Sequence, residues 1–238
     1  MSQTPMWYMN TREFYVNYPH KQHSALFKAF YLLQAAHWSH LLIVLSLQLE
    51  KPRKDFAELT VHHITTLTLI FCSYRFHFTW IGVPVFWTHD VSDILLTLCK
   101  VLNYLDVGDP IVPVSFGIFT SVWIYTRHYL GLIILRSVVT DFKTVGIWVL
   151  DWDEGLYKCT LAQVICFGLL SIMQLLDLYW LFLILRLAWR ILQGGAQKDD
   201  REDIDEDDEE VEKETEEKKY SCFLNLLMEG KNDAVASK

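Results

Sequence analysis

Two adjacent histidines, His62 and His63, lie in one apolar segment of the sequence, and Asp90 and Asp93 lie in the next. Ionisable groups inside a membrane cost free energy unless they pair or do chemistry. An imidazole can act as a general base or a nucleophile near neutral pH, and a carboxylate that accepts its other N–H fixes the tautomer and stabilises the imidazolium. These four residues are therefore the predicted catalytic residues, and the chemistry that they suit is acyl transfer.

The segments that must position these residues are long and apolar. Hydrophobic residues make up 52% of the 238 residues and fall in blocks. Blocks of roughly 20 apolar residues match the thickness of a membrane. The five blocks are Ala25–Leu49, Ala57–Ile81, Pro84–Leu105, Ile111–Leu135 and Leu161–Leu192. The sequence therefore predicts an all-α, polytopic membrane protein, a transmembrane helical bundle or barrel with about five spans.

The depths of the polar residues indicate whether they can meet. At about 1.5 Å per residue, His62 and His63 lie roughly 10 Å from the side of the first loop and Asp93 about 16 Å from the same side. The vertical gap is then about 6 Å, and neighbouring helices pack at roughly 8–10 Å. We expect an imidazole and a carboxylate to reach one another or to share a substrate, with Asp93 better placed than Asp90.

The second of these segments carries a polar stripe. Asp90, Asp93, Thr97 and Lys100 recur at helical spacing and share one face. Lys100 is near the end of the segment that we assign to the cytosolic side, where it could meet the phosphate of a ligand. Lys100 is therefore predicted to bind substrate.

Other buried polar residues lie in the later segments. Arg127 and His128, midway along the fourth segment, are predicted to extend the site as substrate-binding residues, with a structural pairing as the alternative. Asp177 in the last segment is predicted to be structural. A hydrogen-bond network between helices is the alternative for the whole set of polar residues.

Basic residues set the predicted orientation. The loop Glu50–Phe56 contains three of them, whereas the connection near Gly82–Pro84 contains none. By the positive-inside rule the first loop is cytosolic and the second is lumenal. Alternation then puts the C-terminal tail in the cytosol.

The two ends of the chain differ from the apolar middle, residues 25–195. Residues 1–24 are aromatic and polar, which suits a segment at the lipid headgroups or an ordinary ordered loop. Gln197–Lys219 carries fourteen acidic and five basic residues, so the net charge of −8 belongs to the tail. We therefore expect residues 196–238 to be a disordered acidic tail, and we expect no nucleic-acid partner.

A metal-dependent alternative comes from the spacing of His37 and His40, followed by the later histidine pair. Together they resemble parts of the histidine boxes of lipid hydroxylases. The full boxes are missing, so we expect no metal site.

The chain resembles the longevity-assurance (Lag1-type) ceramide synthases of the TLC-domain superfamily. The histidine pair matches, as do the Asp-Val-Ser-Asp stretch from Asp90 to Asp93, then Lys100 and Asn103–Leu105. Four further stretches match, namely WYMNTREFY near the start, LQLEKPRKD at Leu47–Asp55, WIYTRH at Trp123–His128 and LYWLFLILR at Leu178–Arg186. The resemblance extends to about Lys198 and is greatest to fungal members.

This resemblance implies N-acylation of a sphingoid base by fatty acyl-CoA in the endoplasmic reticulum, with the paired histidines and the aspartates essential. It implies a helical barrel open to the cytosol, in which a histidine carries the acyl group. It implies acyl-CoA as co-substrate with no other cofactor, contact with membrane lipids, a small single-pass regulatory subunit, and a homo- or hetero-dimer. The connection around Asp141–Lys158 is linked to acyl-chain length in the family.

One departure from the family concerns the start of the chain. Family members have further transmembrane helices before the WYMNTR-like stretch, so the resemblance implies an N-terminally truncated TLC domain. This leaves a second functional hypothesis, a non-catalytic lipid-binding or regulatory membrane protein.

Overall fold

The structure is a computed structural model that describes residues 10–49, 54–105, 107–108 and 111–193. Within these ranges the fold is helical, as predicted, with one small hairpin. The α-helices are α1 (Ala25–Ser46), α2 (Phe56–Arg75), α3 (Thr79–Tyr104), α4 (Ile111–Trp123), α5 (Gly131–Thr140) and α6 (Thr160–Leu192). A π-helical segment, Ile124–Leu130, joins α4 to α5.

The long helices overlap the five predicted apolar segments, with a different boundary between the second and the third. Among the described residues, three helical stretches are long and apolar enough to cross a membrane, namely α1, the continuous stretch Ile111–Thr140, and α6. These agree with three of the predicted spans. Helices α2 and α3 carry the polar residues of the site, which lowers their mean hydropathy, and membrane crossing by these two stays a prediction.

The turn between α2 and α3 lies earlier than predicted. The sequence favoured Gly82–Pro84 as the connection, but α2 ends at Arg75 and α3 begins at Thr79. His77 adopts a φ of 64°, and the N–H of Phe78 donates to the carbonyl of Ser73 at 2.8 Å. A left-handed residue of this kind ends a helix even without glycine. Pro84 consequently lies inside α3, where it removes one backbone donor.

The π-helical segment interrupts an otherwise regular helical rod. It contains Arg127 and His128 and is followed directly by Gly131. Turns of π-helix are rare in proteins, and those that occur are often found at functional sites. The extra residue in the turn changes the direction in which the side chains point. Both predicted substrate-binding residues of this rod therefore lie where its helical phase shifts.

Helix α2 is central to the packing, since it contacts α1, α3 and α6, while α3 contacts both α4 and the π-helical segment. The described part of the N-terminal segment packs onto this bundle. Phe14, Tyr15 and Tyr18 are buried in a cluster with Phe78 and Phe142. These residues therefore belong to the core, and the position of residues 1–24 at the lipid headgroups stays a prediction.

A short hairpin forms within the connection between α5 and α6. Strand β1 (Leu150–Asp151) pairs antiparallel with β2 (Leu156–Tyr157). The carboxylate of Asp151 accepts hydrogen bonds from the backbone of Asp153 and Glu154, which stabilises the turn. The acidic tail, residues 196–238, lies outside the described residues.

Candidate functional site

A polar cavity of about 910 Å³, called the chamber here, lies between α1, α2, α3, the π-helical segment and α6. The four predicted catalytic residues and one predicted substrate-binding residue line it, namely His62, His63, Asp90, Asp93 and Arg127. The residues that helix depth predicted to lie close together, His62, His63 and Asp93, therefore do line one cavity.

A second, smaller cavity lies between α2, α3 and α6 and is almost entirely apolar. It has a volume of about 190 Å³ and reaches Trp152 and Tyr157 of the hairpin. Trp38, His62 and Asp90 line both cavities. His62 therefore lies where a polar chamber meets a space suited to a hydrocarbon chain.

The two histidines have different surroundings. Nδ1 of His63 lies 2.6 Å from the carbonyl of Leu59, one turn earlier in α2. A carbonyl only accepts, so Nδ1 carries the proton and Nε2 of a neutral ring has a free lone pair. Nδ1 of His62 is buried and has no hydrogen-bond partner among the described residues. Only the His63 tautomer is thus fixed by its contacts.

Two indole rings hold His62 in position. The ring centroid of Trp38 lies 5.3 Å from that of His62, and the centroid of Trp180 lies 5.2 Å away, both in edge-to-face geometry. Nε1 of Trp180 donates to the carboxylate of Asp55 at 3.1 Å. Asp55 immediately precedes α2, so one hydrogen bond couples the start of that helix to the ring beside His62.

Asp93 contacts Arg127 and neither histidine. Nη2 of Arg127 donates to Oδ1 of Asp93, and Nη1 donates to Oδ1 of Asp177 at 2.8 Å. Of the two expected arrangements, direct contact between Asp93 and an imidazole is not seen, whereas both types of side chain line the chamber, so a shared substrate stays a prediction. A guanidinium is always charged and forms charge-assisted hydrogen bonds, so it attracts the carboxylate more strongly than a neutral imidazole does.

Arg127 is almost entirely enclosed by its partners. Its Nε donates to the hydroxyl of Ser92 at 2.7 Å, and Nη2 also reaches the carbonyl of His89 at 3.3 Å. The guanidinium lies 4.0 Å from the centre of the Trp123 ring. Since the side chain is only 3% exposed, the structural pairing accounts for Arg127 better than the predicted contact with substrate.

Asp90 lies apart from this ion-pair network. Its Oδ2 accepts a hydrogen bond of 2.6 Å from Nε2 of Gln34 on α1. Within the described part of the chain, no cationic side chain lies within ion-pair distance of Asp90. A half-buried carboxylate with a neutral partner is therefore present at the junction of the two cavities.

Two predicted substrate-binding residues lie away from the chamber wall. Lys100 is half-buried near the C-terminal end of α3 and is not among the residues that line the chamber. His128 accepts a hydrogen bond of 3.0 Å from Gln174 of α6 and also lies outside the chamber. Its neighbour Arg127 points to another side of the helix and does line the chamber. The predicted roles of Lys100 and His128 in binding substrate gain no support from these positions.

The two histidines of α1 also differ in their position relative to the chamber. His37 lines the chamber, whereas His40 is exposed and does not. Within the described ranges, no three His, Cys, Asp or Glu side chains come close enough together to hold a metal ion. The geometry gives the histidine-box hypothesis no support.

Sequence reasoning missed several residues around the site. Gln34, Asp55 and Trp180 received no role, whereas Asp177 was predicted to be structural and its pairing with Arg127 agrees with that role. The polar type of Gln34 inside an apolar segment was a usable signal. Asp55 looked like part of a charged loop, and Trp180 like one of many apolar residues in α6. Only the packing of α6 against α2 brings these two together.

Comparison with known proteins gives the family. The TLC domain matches residues 1–186. The chain is 51% identical over 209 residues to the sphingosine N-acyltransferase lac1 of Schizosaccharomyces pombe, which covers 88% of this chain and 54% of that protein. It is 47% identical over 218 residues to the ceramide synthase LAG1 of Saccharomyces cerevisiae, covering 92% and 53%. Ceramide synthase 5 of Homo sapiens is 30% identical over 210 residues, covering 86% and 49%.

The chain spans about half the length of the curated relatives that it matches. The matched region includes every residue that lines the chamber, because the TLC domain extends to residue 186. The stretches around His62 and Asp90, on which the resemblance was based, thus lie both in the matched region and at the chamber. The chain therefore belongs to the TLC domain family, among the Lag1-type proteins.

Proposed function

We propose that this protein is a ceramide synthase, an acyltransferase that moves a fatty acyl group from acyl-CoA to the amine of a sphingoid base. The observation that carries the proposal is the position of His62, which lines both the polar chamber and the apolar cavity. A fatty acyl group with its hydrocarbon chain in the apolar cavity would have its carbonyl carbon beside this imidazole. Proteins named sphingosine N-acyltransferase that are about half identical to the chain add support.

Two routes fit the chemistry of an imidazole at this position. In a single step, the amine nitrogen attacks the thioester carbon, the C–S bond breaks, and the imidazole passes the amine proton to the departing thiolate. In two steps, the imidazole attacks first and its N–H proton leaves with the thiol. The amine then displaces the imidazole, which regains a proton from the amine. His63, with Nδ1 bonded to Leu59, supports the neighbouring ring.

The proposal includes the setting of the reaction. The protein acts in the membrane of the endoplasmic reticulum with its acidic tail in the cytosol, and it uses no cofactor apart from the co-substrate acyl-CoA. It works with a small single-pass regulatory subunit and as a homo- or hetero-dimer. The apolar helices α1 and α6 support the membrane location.

Purified full-length chain in lipid nanodiscs, supplied with fatty acyl-CoA and sphinganine, tests the activity. We expect equal amounts of amide and free CoA thiol, measured by mass spectrometry and a thiol reagent. His62→Ala should lower the rate about a hundredfold or more, because general base catalysis contributes on that order. His40→Ala, at an exposed position of α1, is the matched control and should retain activity.

The outcomes separate the hypotheses. Acyl-CoA without the amine should give a peptide acylated on His62 if the two-step route operates, and none if the single-step route does. Activity that is lost with a metal chelator would support the histidine-box alternative. Wild-type chain that binds sphinganine and forms no amide would overturn the proposal in favour of a non-catalytic lipid-binding protein.

A further inference from the structure

The carboxylates around the chamber differ in their partners. Asp93 and Asp177 both bind Arg127, and Asp55 accepts from Trp180. Asp90 has the neutral amide of Gln34 as its hydrogen-bond donor. Among the described residues that line the chamber, Arg127 is the one side chain with a permanent positive charge, and two carboxylates already share it. Of the described lining residues, none with a permanent positive charge is therefore left to pair with Asp90.

An unbalanced carboxylate in a partly enclosed site attracts a cation, because a nearby opposite charge offsets the cost of its burial. Asp90 borders both the chamber and the apolar cavity. On the chamber side, Asp90 lies near apolar residues of α1, among them Leu33, Leu41 and Leu45, so a ligand that places a cationic group at Asp90 can extend an apolar tail along them while the acyl chain occupies the apolar cavity. This combination describes a long-chain amine.

Gln34 adds a second polar group at the same place. Its Nε2 is used by Asp90, because an ionised carboxylate can only accept. Its Oε1 has no hydrogen-bond partner among the described residues, and the side chain lines the chamber. The pair therefore offers an anion for an ammonium group and a carbonyl acceptor for a neighbouring hydroxyl.

We propose that Gln34 and Asp90 form the recognition site for the amino-alcohol headgroup of the sphingoid base. Asp90 binds the ammonium group, and the amide of Gln34 orients that carboxylate and accepts from a hydroxyl. The assignment rests on the proposed function for its substrate class. It makes Asp90 a substrate-binding residue, whereas His62 is the reacting group.

Equilibrium binding tests this assignment without requiring catalysis. Three ligands are titrated into the purified full chain in nanodiscs, namely sphinganine, stearylamine and stearyl alcohol. Stearylamine retains the amine and lacks the hydroxyls, whereas stearyl alcohol lacks the amine. We expect wild-type affinity to fall in the order given, since the first step removes the hydroxyls that Gln34 accepts from and the second replaces the ammonium charge bound by Asp90 with a single neutral hydroxyl.

Two variants should each remove or reduce one of these two differences in affinity. Asp90→Asn should abolish the preference for stearylamine over stearyl alcohol. Gln34→Ala should reduce the preference for sphinganine over stearylamine about tenfold, as expected for a lost hydrogen bond near a charge. Ser39→Ala is the control on the same helix, because its hydroxyl bonds only the carbonyl of Ala35.

Each outcome decides the assignment. Equal weakening of all three ligands, or unchanged preferences in both variants, would overturn it. The assignment would be supported if each variant loses its own ligand preference while His62→Ala still binds sphinganine. If the preferences hold while the wild-type chain transfers no acyl group, the headgroup site stands and the proposed function fails. If transfer occurs and the preferences do not change in the variants, only the headgroup site fails.

Discussion

Arg127 and Asp177 form a buried ion pair, with Nη1 of the arginine 2.8 Å from Oδ1 of the aspartate, and each side chain is 3% exposed. The pair joins the π-helical segment to α6. Because the same guanidinium also holds Asp93 of α3, the position of a chamber carboxylate depends on a residue in the last helix. His89 adds a contact, since its Nε2 lies 3.4 Å from Oδ2 of Asp177.

Removal of Asp177 should destabilise the protein strongly. Asp177→Ala leaves a buried guanidinium without one of its two carboxylates, and breaking such a pair costs about 3–5 kcal/mol. Thermal unfolding in detergent measures the loss, with Asp153→Ala in the exposed hairpin turn as the control. The double change of Arg127→Met and Asp177→Leu should recover much of the stability while activity stays low. A single variant as stable as the control would contradict the role of the pair.

Trp180 should control access to His62. Trp180→Ala removes the ring that packs 5.2 Å from the imidazole, whereas Trp180→Phe keeps a ring and loses only the donor to Asp55. We expect His62 to react faster with diethyl pyrocarbonate in the alanine variant and only slightly faster in the phenylalanine variant, as read by peptide mass spectrometry.

The matched control for this experiment is Trp189→Ala, since Trp189 is exposed on the same helix. It should leave the modification rate of His62 unchanged. Equal rates in the Trp180→Ala variant and the wild type would mean that the ring does not shield the imidazole.

The sequence was sufficient to predict which polar residues of α2 and α3 would share a cavity. Helical rise and an approximate membrane boundary define depth, and depth alone brings His62 and Asp93 to within about 6 Å of each other along the membrane normal. Hydrogen-bond partners depend instead on how helices rotate against one another. That rotation is set by packing of many apolar side chains, so the choice of Arg127 as partner of Asp93 could not be read from spacing.

Local backbone features account for the other differences. Arg127 lines the chamber whereas its neighbour His128 bonds Gln174, because adjacent residues of a helix point to different sides. The turn at His77 has a positive φ on a residue that gives no turn signal, whereas Gly82 and Pro84 resembled a turn and lie within a helix. The glycine serves close packing there.

Gly82→Ala should therefore destabilise the bundle. A Cβ at this position would lie 1.9 Å from the hydroxyl of Tyr31 and 2.7 Å from that of Ser73, and these hydroxyls bond each other at 2.7 Å. Overpacking of this kind costs typically about 1–3 kcal/mol. Gly117→Ala is the control, because a Cβ there meets nothing within 4 Å and alanine favours the helix.

The unfolding temperature should thus fall in Gly82→Ala and rise slightly in Gly117→Ala. Tyr31→Phe in the Gly82→Ala background removes the nearest clashing atom and should restore part of the stability. If Gly82→Ala unfolds at the wild-type temperature, the close approach of α1 to α3 at this glycine is wrong.

Lys158 lies outside the membrane-spanning helices and gives the last prediction. Its side chain is fully buried, and its ammonium group donates to the carbonyl of Val145. The rings of Tyr15, Tyr18 and Phe142 surround it at 5.2–5.7 Å. Burial lowers the pKa of Lys158 from 10.5 to about 8.

The lowered pKa gives the sign of the pH dependence. Between about pH 8 and 10.5 the unfolded chain binds the proton more tightly than the folded chain, so the contribution of Lys158 to stability rises with pH across that window. Burial also raises the pKa of Tyr18 to about 12 and lowers that of the nearby His20 to about 4, so neither changes charge in the folded protein there.

Lys158→Met isolates this effect, because it keeps an unbranched side chain and removes the charge. The unfolding temperature of the wild type relative to Lys158→Met should increase between pH 7.5 and pH 9.5. Lys143→Met, at an exposed position of the same connection, serves as the control and should show no such change. A difference between wild type and Lys158→Met that stays constant over this range would mean that Lys158 titrates as an ordinary surface lysine.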